Sequence, residues 1–119
     1  MMAETVEHVG HPNFSLCYDP GNMIHYTKGE VRPETDVHDA ARYVTTCIIK
    51  DCVVVGGTPD VWILPGDGWV DFRAVLSGLV GAGFRGPLYV ECLGGEALED
   101  INDRARRTHA FISGIVAEL

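Results

Sequence analysis

The stretch LPGDGWVDFRAVLSGLVGAGFRGPLYVEC, residues 64–92, contains a glycine-rich loop, an amphipathic helix and a short apolar strand, in that order. Asp71 is a suitable N-cap for the helix. Apolar residues then recur at helical spacing, at Phe72, Val75, Leu76, Leu79 and Val80. The strand that follows ends at a carboxylate, Glu91. Because α/β enzymes carry their chemistry at the carboxyl ends of parallel strands, this order predicts an α/β fold with functional residues at one rim.

Two earlier strand-like segments also end at charged residues. Residues 13–19 alternate apolar and polar side chains and end at Asp19, and residues 43–51 are rich in β-branched residues and end at Lys50-Asp51. A helix beginning at Pro33 is predicted between them, and a last helix over residues 97–119. The glycine-containing segments 20–32 and 56–68 are predicted to be loops. Repeated strand–helix units of about 30 to 40 residues indicate a parallel sheet.

The length limits how much of a barrel the chain forms. A complete (β/α)8 barrel needs about 250 residues, whereas this chain has 119. We therefore predict an α/β fold in which parallel βα units form the C-terminal part of a (β/α)8 TIM barrel, with about three strands and three to four helices in a single domain, residues 1–119. The barrel is incomplete, so one sheet face and both edges are expected to be open.

Composition and charge exclude several classes of protein. The formal net charge of −8 opposes nucleic-acid binding, which needs a basic surface. No run of eighteen apolar residues exists, and the N-terminus lacks a signal-peptide pattern, so we expect a cytoplasmic protein without a membrane span. The cysteines show no zinc-site spacing. Three of them lie in apolar strand-like runs and are expected to be buried: Cys17, Cys47 and Cys92.

Four motifs occur in a characteristic order. They are DPGN at residues 19–22, IIKD at 48–51, PGDG at 65–68 followed by a helix start, and GAGFRGPLYVE at 81–91. In this order and spacing, over residues 11–115, the chain resembles the sugar phosphate isomerase/epimerase family, the xylose isomerase-like TIM barrels.

The resemblance implies a divalent metal at the barrel mouth, held by two Glu, one Asp and one His. In such a site the metal polarises the substrate, and the glutamates exchange a proton with carbon through an enediolate. Carried over by position, Asp19 corresponds to a metal ligand, and Glu91 corresponds to both a ligand and the proton-transfer residue. Mg or Mn suits such oxygen ligands, and Co or Zn is the alternative.

The chain departs from the family pattern at two ligand positions. Ile48 stands where the ligand His is usual, and the other Glu would belong to a strand before residue 1. The resemblance therefore implies that this chain holds a metal weakly, if at all. Asn22 stands where many members have a substrate-contacting His, and we expect it to bind a sugar hydroxyl.

Several residues have two interpretations that the sequence leaves open. Asp19 is either a metal ligand or the first residue of an Asx turn. Lys50 either binds an anionic group of the substrate or forms a salt bridge with Asp51 or Asp19. The loop with Gly66 and Asp67 either encloses substrate or is a plain turn.

Three hypotheses follow for function. The first is a metal-dependent isomerase or epimerase of a sugar or sugar phosphate, present as a C-terminal part whose N-terminal half is missing. The second keeps the same first step but dehydrates a keto-inositol, as an inosose dehydratase-like lyase. The third is a non-catalytic, truncated half-barrel that forms a homo-oligomer or needs a partner chain. The first two imply a small carbohydrate as the bound molecule.

Overall fold

Three parallel strands form the central sheet of the computed structural model, which describes residues 2–119. The strands are β1 (Leu16–Tyr18), β2 (Val44–Ile49) and β5 (Leu88–Val90), in the spatial order β1-β2-β5. A two-stranded antiparallel hairpin follows β2 and consists of β3 (Val53–Val55) and β4 (Thr58–Asp60). The helices of this part of the chain are α1 (Met2–Val9), α2 (Pro20–Thr27), α3 (Pro33–Ala40), α4 (Phe72–Gly81) and α5 (Leu98–Val116).

The register of the sheet brings the carboxyl ends of its strands together. Cys47 pairs with both Tyr18 of β1 and Leu88 of β5, and Ile49 pairs with Val90. Lys50 follows Ile49 and Glu91 follows Val90, so these two residues lie side by side at the ends of neighbouring strands. Because side chains alternate along a strand, both point to the sheet face opposite that of Ile49.

The other sheet face packs against helices and contains the core. The buried residues on this side include Tyr18 and Ile49 of the sheet, Val37 of α3, and Val75 and Leu79 of α4. The hydroxyl of Tyr18 donates to the carbonyl of Pro33 and the carboxylate of Asp36, both at 3.1 Å. A one-turn 3-10 helix, Ala41–Tyr43, joins α3 to β2. The predicted α4 is confirmed, since the Asp71 carboxylate accepts the N–H of Ala74 at 2.9 Å.

The predicted loop at residues 20–32 is wrong over most of its length. Helix α2 begins directly after β1, because Asp19 caps it and Pro20 occupies its first turn, where a missing N–H has no cost. Lys28 ends the helix with a left-handed φ of 52°. Gly21 and Asn22 lie inside the first turn of the helix, whereas Gly29 follows its end.

The predicted loop at residues 56–68 begins with the turn of the hairpin and contains its second strand, β4. Gly56 and Gly57 form its two-residue turn, with φ values of 57° and 79°. Positive φ at both central residues gives the turn that joins twisted antiparallel strands. The hairpin packs against α2.

The prediction of a partial barrel is confirmed. The parallel β1-β2-β5 sheet has helices on one face, and the sheet of residues 2–119 does not close into a barrel. The expectation that Cys17 is buried is wrong, because it projects from the open face and is exposed. Cys47, on the helix-covered face, is buried as predicted, and Cys92 is partly buried.

Candidate functional site

Four polar side chains meet where the parallel strands end. The ammonium Nζ of Lys50 lies 3.0 Å from Oδ2 of Asp19 and 3.3 Å from Oδ1 of Asn22. It also forms an ion pair with Oε2 of Glu91. The structure therefore brings together four residues that the sequence singled out, and Lys50 is at their centre.

Asp19 has two roles in this cluster. Its Oδ1 accepts the backbone N–H of Asn22 at 2.9 Å, which caps α2. Its Oδ2 accepts the bond from Lys50. The Asx-type turn is therefore present, and it leaves the second carboxylate oxygen aimed at the open end of the sheet.

Lys50 is held in a close-fitting cavity although it is charged. Its side chain is only 8% exposed. Gly21 makes room for it, because a Cβ at residue 21 would lie 2.7 Å from both Cγ and the carbonyl oxygen of Lys50. Burial lowers the pKa of Lys50, but hydrogen bonds and charges from Glu91 and Asp19 outweigh burial and raise the pKa above its usual value. The lysine is therefore a fixed positive charge.

Glu91 is the most accessible member of the cluster. Its backbone N–H donates to the carbonyl of Ile49 at 3.2 Å, which continues the β2–β5 pairing by one residue. Its side chain is 55% exposed. The backbone turns away at Cys92, which has a left-handed φ of 56° that non-glycine residues rarely adopt. Glu91 thus combines one bond to Lys50 with access from solvent.

Asn22 and Asp19 also line a cavity of about 280 Å³ beside the cluster. This volume is near the lower limit for small-molecule pockets. Its remaining walls are mainly apolar and are formed by Met2, Cys17, Met23, Tyr26 and Thr27. Partial desolvation, followed by the negative charges of Asp19 and Glu91, raises the pKa of the Cys17 thiol.

Asp51 has a role that the sequence did not indicate. It is 1% exposed, and its carboxylate accepts backbone N–H groups of Cys52 (2.8 Å), Gly66 (2.9 Å), Gly68 (2.9 Å) and Val70 (3.0 Å). Of the two partners considered for Lys50, the structure places Asp19 against it, while Asp51 holds the loop before α4. The signal that could have indicated this role is an Asp at the end of an apolar strand, followed by a glycine-rich loop whose backbone N–H groups lack partners in a helix or sheet.

Gly66 and Asp67 lie apart from the cluster. They line a cavity of about 210 Å³ with Leu64, Pro65, Arg107, Thr108 and Phe111, and none of the four cluster residues forms its wall. The aromatic ring of Phe111 packs against Gly66. The predicted contact of Gly66 and Asp67 with substrate stays a prediction, and the structure does not bring these residues to Lys50.

The residues of the cluster, as arranged, do not fit a divalent metal ion. The carboxylates of Asp19 and Glu91 both bind the Lys50 ammonium, which occupies the position between them. Ile48 supplies no imidazole, and residues 2–119 contain no group of three or more His, Cys, Asp or Glu side chains arranged to hold a metal. A site with two carboxylates and an ammonium in its centre lacks the ligand number that Mg²⁺ or Zn²⁺ requires.

A parallel sheet with helices on one face and polar residues at its carboxyl ends defines a partial (β/α) barrel. The chain belongs to the xylose isomerase-like TIM barrel family, because its residues 1–113 match the sequence model of that family. This family includes sugar isomerases and epimerases. No curated protein matches the chain.

Solved structures with the same fold include a xylose isomerase domain protein from Planctomyces limnophilus, which is 28% identical with a TM-score of 0.75. The match covers 97% of this chain and 43% of the Planctomyces chain. A xylose isomerase domain protein from Alicyclobacillus acidocaldarius is 25% identical with a TM-score of 0.68, and the match covers 98% of this chain and 43% of that one. A xylose isomerase-like TIM barrel protein from Mycobacterium smegmatis, in complex with magnesium, is 18% identical with a TM-score of 0.70. That match covers 94% of this chain and 39% of the Mycobacterium chain. The chain thus spans about two-fifths of the length of the structures it matches.

Among the helices of residues 2–119, none has the length and hydrophobicity that crossing a bilayer requires.

Proposed function

We propose that the chain carries part of the active site of a sugar isomerase or epimerase, with Glu91 as the proton-transfer residue. The observation that supports this proposal is the meeting of Asp19, Lys50 and Glu91 at the carboxyl ends of three parallel strands, where enzymes of this architecture place their reacting groups. The family and its solved relatives support the choice of a carbohydrate substrate.

The chemistry of the proposed step is a proton transfer next to a carbonyl group. The Glu91 carboxylate takes the proton from the carbon adjacent to the substrate carbonyl. The electron pair of that C–H bond forms a C=C bond, and the π electron pair of the carbonyl moves to its oxygen. The resulting enediolate carries negative charge close to the Lys50 ammonium, which stabilises it. For isomerisation, Glu91 then returns the proton to the former carbonyl carbon, while the proton of the neighbouring hydroxyl moves to the former carbonyl oxygen. For epimerisation, the original carbon takes a proton from a second acid on the opposite face of the enediolate, and Glu91 keeps the proton that it removed.

The remaining members of the cluster would orient the substrate. Asn22 has an amide that donates to a sugar hydroxyl, and it lines the cavity beside the cluster together with Asp19. Asp19 holds Lys50 in place through its Oδ2. The metal-ligand roles predicted for Asp19 and Glu91 require the ammonium to leave, so they stay predictions, as does the contact of Gly66 and Asp67 with substrate.

The experiment is hydrogen exchange at carbon, followed by NMR in D2O. The chain is incubated with aldose–ketose pairs, free and phosphorylated, and with a keto-inositol, with and without Mg²⁺. With the unmodified chain we expect the signal of the proton next to the carbonyl to be lost. With Glu91→Gln we expect that signal to be retained. Glu99→Gln, at an exposed position in the first turn of α5, is the matched control. Appearance of a dehydrated product from the keto-inositol would identify the lyase reaction instead.

Absence of exchange with every substrate would contradict catalysis by this chain alone. A second proposal, association with another chain or a second copy, then applies. It is supported by the exposed residues of the edge strand β5, where Tyr89 is 56% and Val90 is 42% exposed. Bare edges of parallel sheets pair readily with other strands. Size-exclusion chromatography with light scattering measures the mass, and a strictly monomeric chain would contradict self-association.

A further inference from the structure

We propose that Lys50 is the resident cation of this site and that it excludes divalent metals from the chain. Removing the ammonium would expose a metal site formed by Asp19, Asn22 and Glu91. This inference concerns binding and does not depend on turnover, so it survives or fails separately from the isomerase proposal.

Oxygen atoms of three neighbouring side chains enclose the ammonium of Lys50. Three side-chain oxygens surround Nζ: a carboxylate oxygen of Asp19 at 3.0 Å, the amide oxygen of Asn22 at 3.3 Å and a carboxylate oxygen of Glu91. Such a set of oxygens is what Mg²⁺ and Mn²⁺ prefer as ligands. Here each of these oxygens accepts a bond from the same lysine, so one of the two negative charges is already neutralised.

A metal ion and the Lys50 ammonium cannot share this position. Mg²⁺ binds carboxylate oxygens at about 2.1 Å. An ion at that distance from Asp19 Oδ2 and Glu91 Oε2 would occupy the space of Nζ, and its two positive charges would be repelled by the ammonium. Displacing the lysine would also break its ion pairs with both carboxylates.

The backbone around Lys50 is shaped to fit its side chain. The Lys50 side chain is 8% exposed, and it passes against Gly21, where a Cβ would be only 2.7 Å from Lys50 Cγ. A flexible surface lysine that had drifted toward two carboxylates would not require a glycine against its stem. Ile48, two residues earlier on the same strand face, supplies no metal-binding atom.

The test is Mn²⁺ binding to the complete 119-residue chain, measured by electron paramagnetic resonance of free Mn²⁺. We expect no saturable site in the unmodified chain. Lys50→Ala, which removes the charge and leaves room for an ion, should gain one saturable site, at least about tenfold tighter than any residual binding by the unmodified chain. The double variant Asp19→Asn with Lys50→Ala should lose it again. Lys28→Asn is the control, because Lys28 is exposed and tolerates asparagine at its left-handed φ.

Thermal unfolding gives a second readout that needs no substrate. Mg²⁺ should raise the melting temperature of Lys50→Ala but not that of the unmodified chain, because a ligand stabilises only the state that binds it. Lys50→Gln, which keeps most of the side-chain length, replaces the alanine variant if that variant fails to fold.

Two results would overturn the inference. One is a single Mn²⁺ site in the unmodified chain that Asp19→Asn removes. The other is a folded Lys50→Ala or Lys50→Gln that gains no Mn²⁺ binding. If neither variant folds, the unmodified chain decides: absence of a Mn²⁺ site and a melting temperature insensitive to Mg²⁺ support the inference.

Discussion

The carboxylate of Asp51 accepts a hydrogen bond from the backbone N–H of Gly68 at 2.9 Å, although the two residues are 17 positions apart. The same carboxylate binds the N–H groups of Gly66 and Val70, so one buried side chain fixes the loop between the β3–β4 hairpin and α4. Lys50, the residue directly before it, bonds to Asp19 and Glu91 instead. Of the two adjacent residues that follow β2, Asp51 thus holds the loop, and Lys50 belongs to the candidate functional site.

Asp51→Asn should destabilise the fold by about 2–4 kcal/mol. The amide keeps the shape of the carboxylate but loses the charge and turns an N–H group toward backbone N–H donors, which leaves buried donors unpaired. Urea unfolding followed by circular dichroism measures the change. Asp67→Asn, at an exposed position of the same loop, should cost less than about 0.5 kcal/mol. Equal effects of the two substitutions would show that Asp51 does not anchor the loop.

Gly21→Ala should destabilise the chain by about 1–3 kcal/mol, because the new methyl group collides with both the side chain and the carbonyl oxygen of Lys50. Gly81→Ala at the end of α4 is the matched control, since a Cβ there meets nothing within 4 Å. It should be neutral or slightly stabilising. Chemical denaturation of both variants tests the prediction, and a Gly21→Ala protein as stable as the parent would contradict the close fit around Lys50.

Stability should fall as the pH rises from about 9 to 12. Burial raises the pKa of the Cys47 thiol from 9.0 to about 12, with smaller contributions from Asp19 and Cys17. Because the folded pKa lies above the unfolded pKa, the stabilisation is complete below pH 9 and is lost as the pH approaches the folded pKa. Burial, followed by Asp36, also raises the pKa of Tyr18, which acts in the same direction.

Urea midpoints at pH 7, 9, 10 and 11 measure this alkaline loss. Cys47→Ala lowers stability at every pH by leaving a cavity, but it should make the decline above pH 9 shallower. A decline of the same steepness in the parent and in Cys47→Ala would assign the effect to other groups.

The thiols should react in an order set by the open sheet face. Cys17 is exposed, whereas Cys47 and Cys52 are buried. At pH 8.5 we expect a thiol reagent to label Cys17 first, and Cys47 only on unfolding, because the thiolate is the reactive form and burial suppresses it. Peptide mapping by mass spectrometry identifies the labelled residue. Protection of Cys17 at high protein concentration would indicate that a second chain covers this face.

The local signals in the sequence predicted the helices and strands that depend on neighbouring residues. Asp71 and the apolar spacing after it predicted α4, and the apolar runs ending at Asp19, Lys50 and Glu91 predicted the three parallel strands. Helix α2 was missed because Gly21 and Asn22 lower helix propensity, while capping by Asp19 and the first-turn position of Pro20 compensate for them. The hairpin β3–β4 was missed because short strands in a glycine-containing segment resemble a loop.

The sequence by itself determined which polar residues end the strands, because strand periodicity and the residue that follows it are local properties of the chain. Only the tertiary structure decided how those residues are paired. Strand register across 31 positions sets Lys50 against Asp19, and the alignment of β5 with β2 sets Glu91 on the other side of the ammonium. Register depends on the packing of Tyr18 and Ile49 against distant helices, so no local pattern specifies that a lysine occupies the centre of this site.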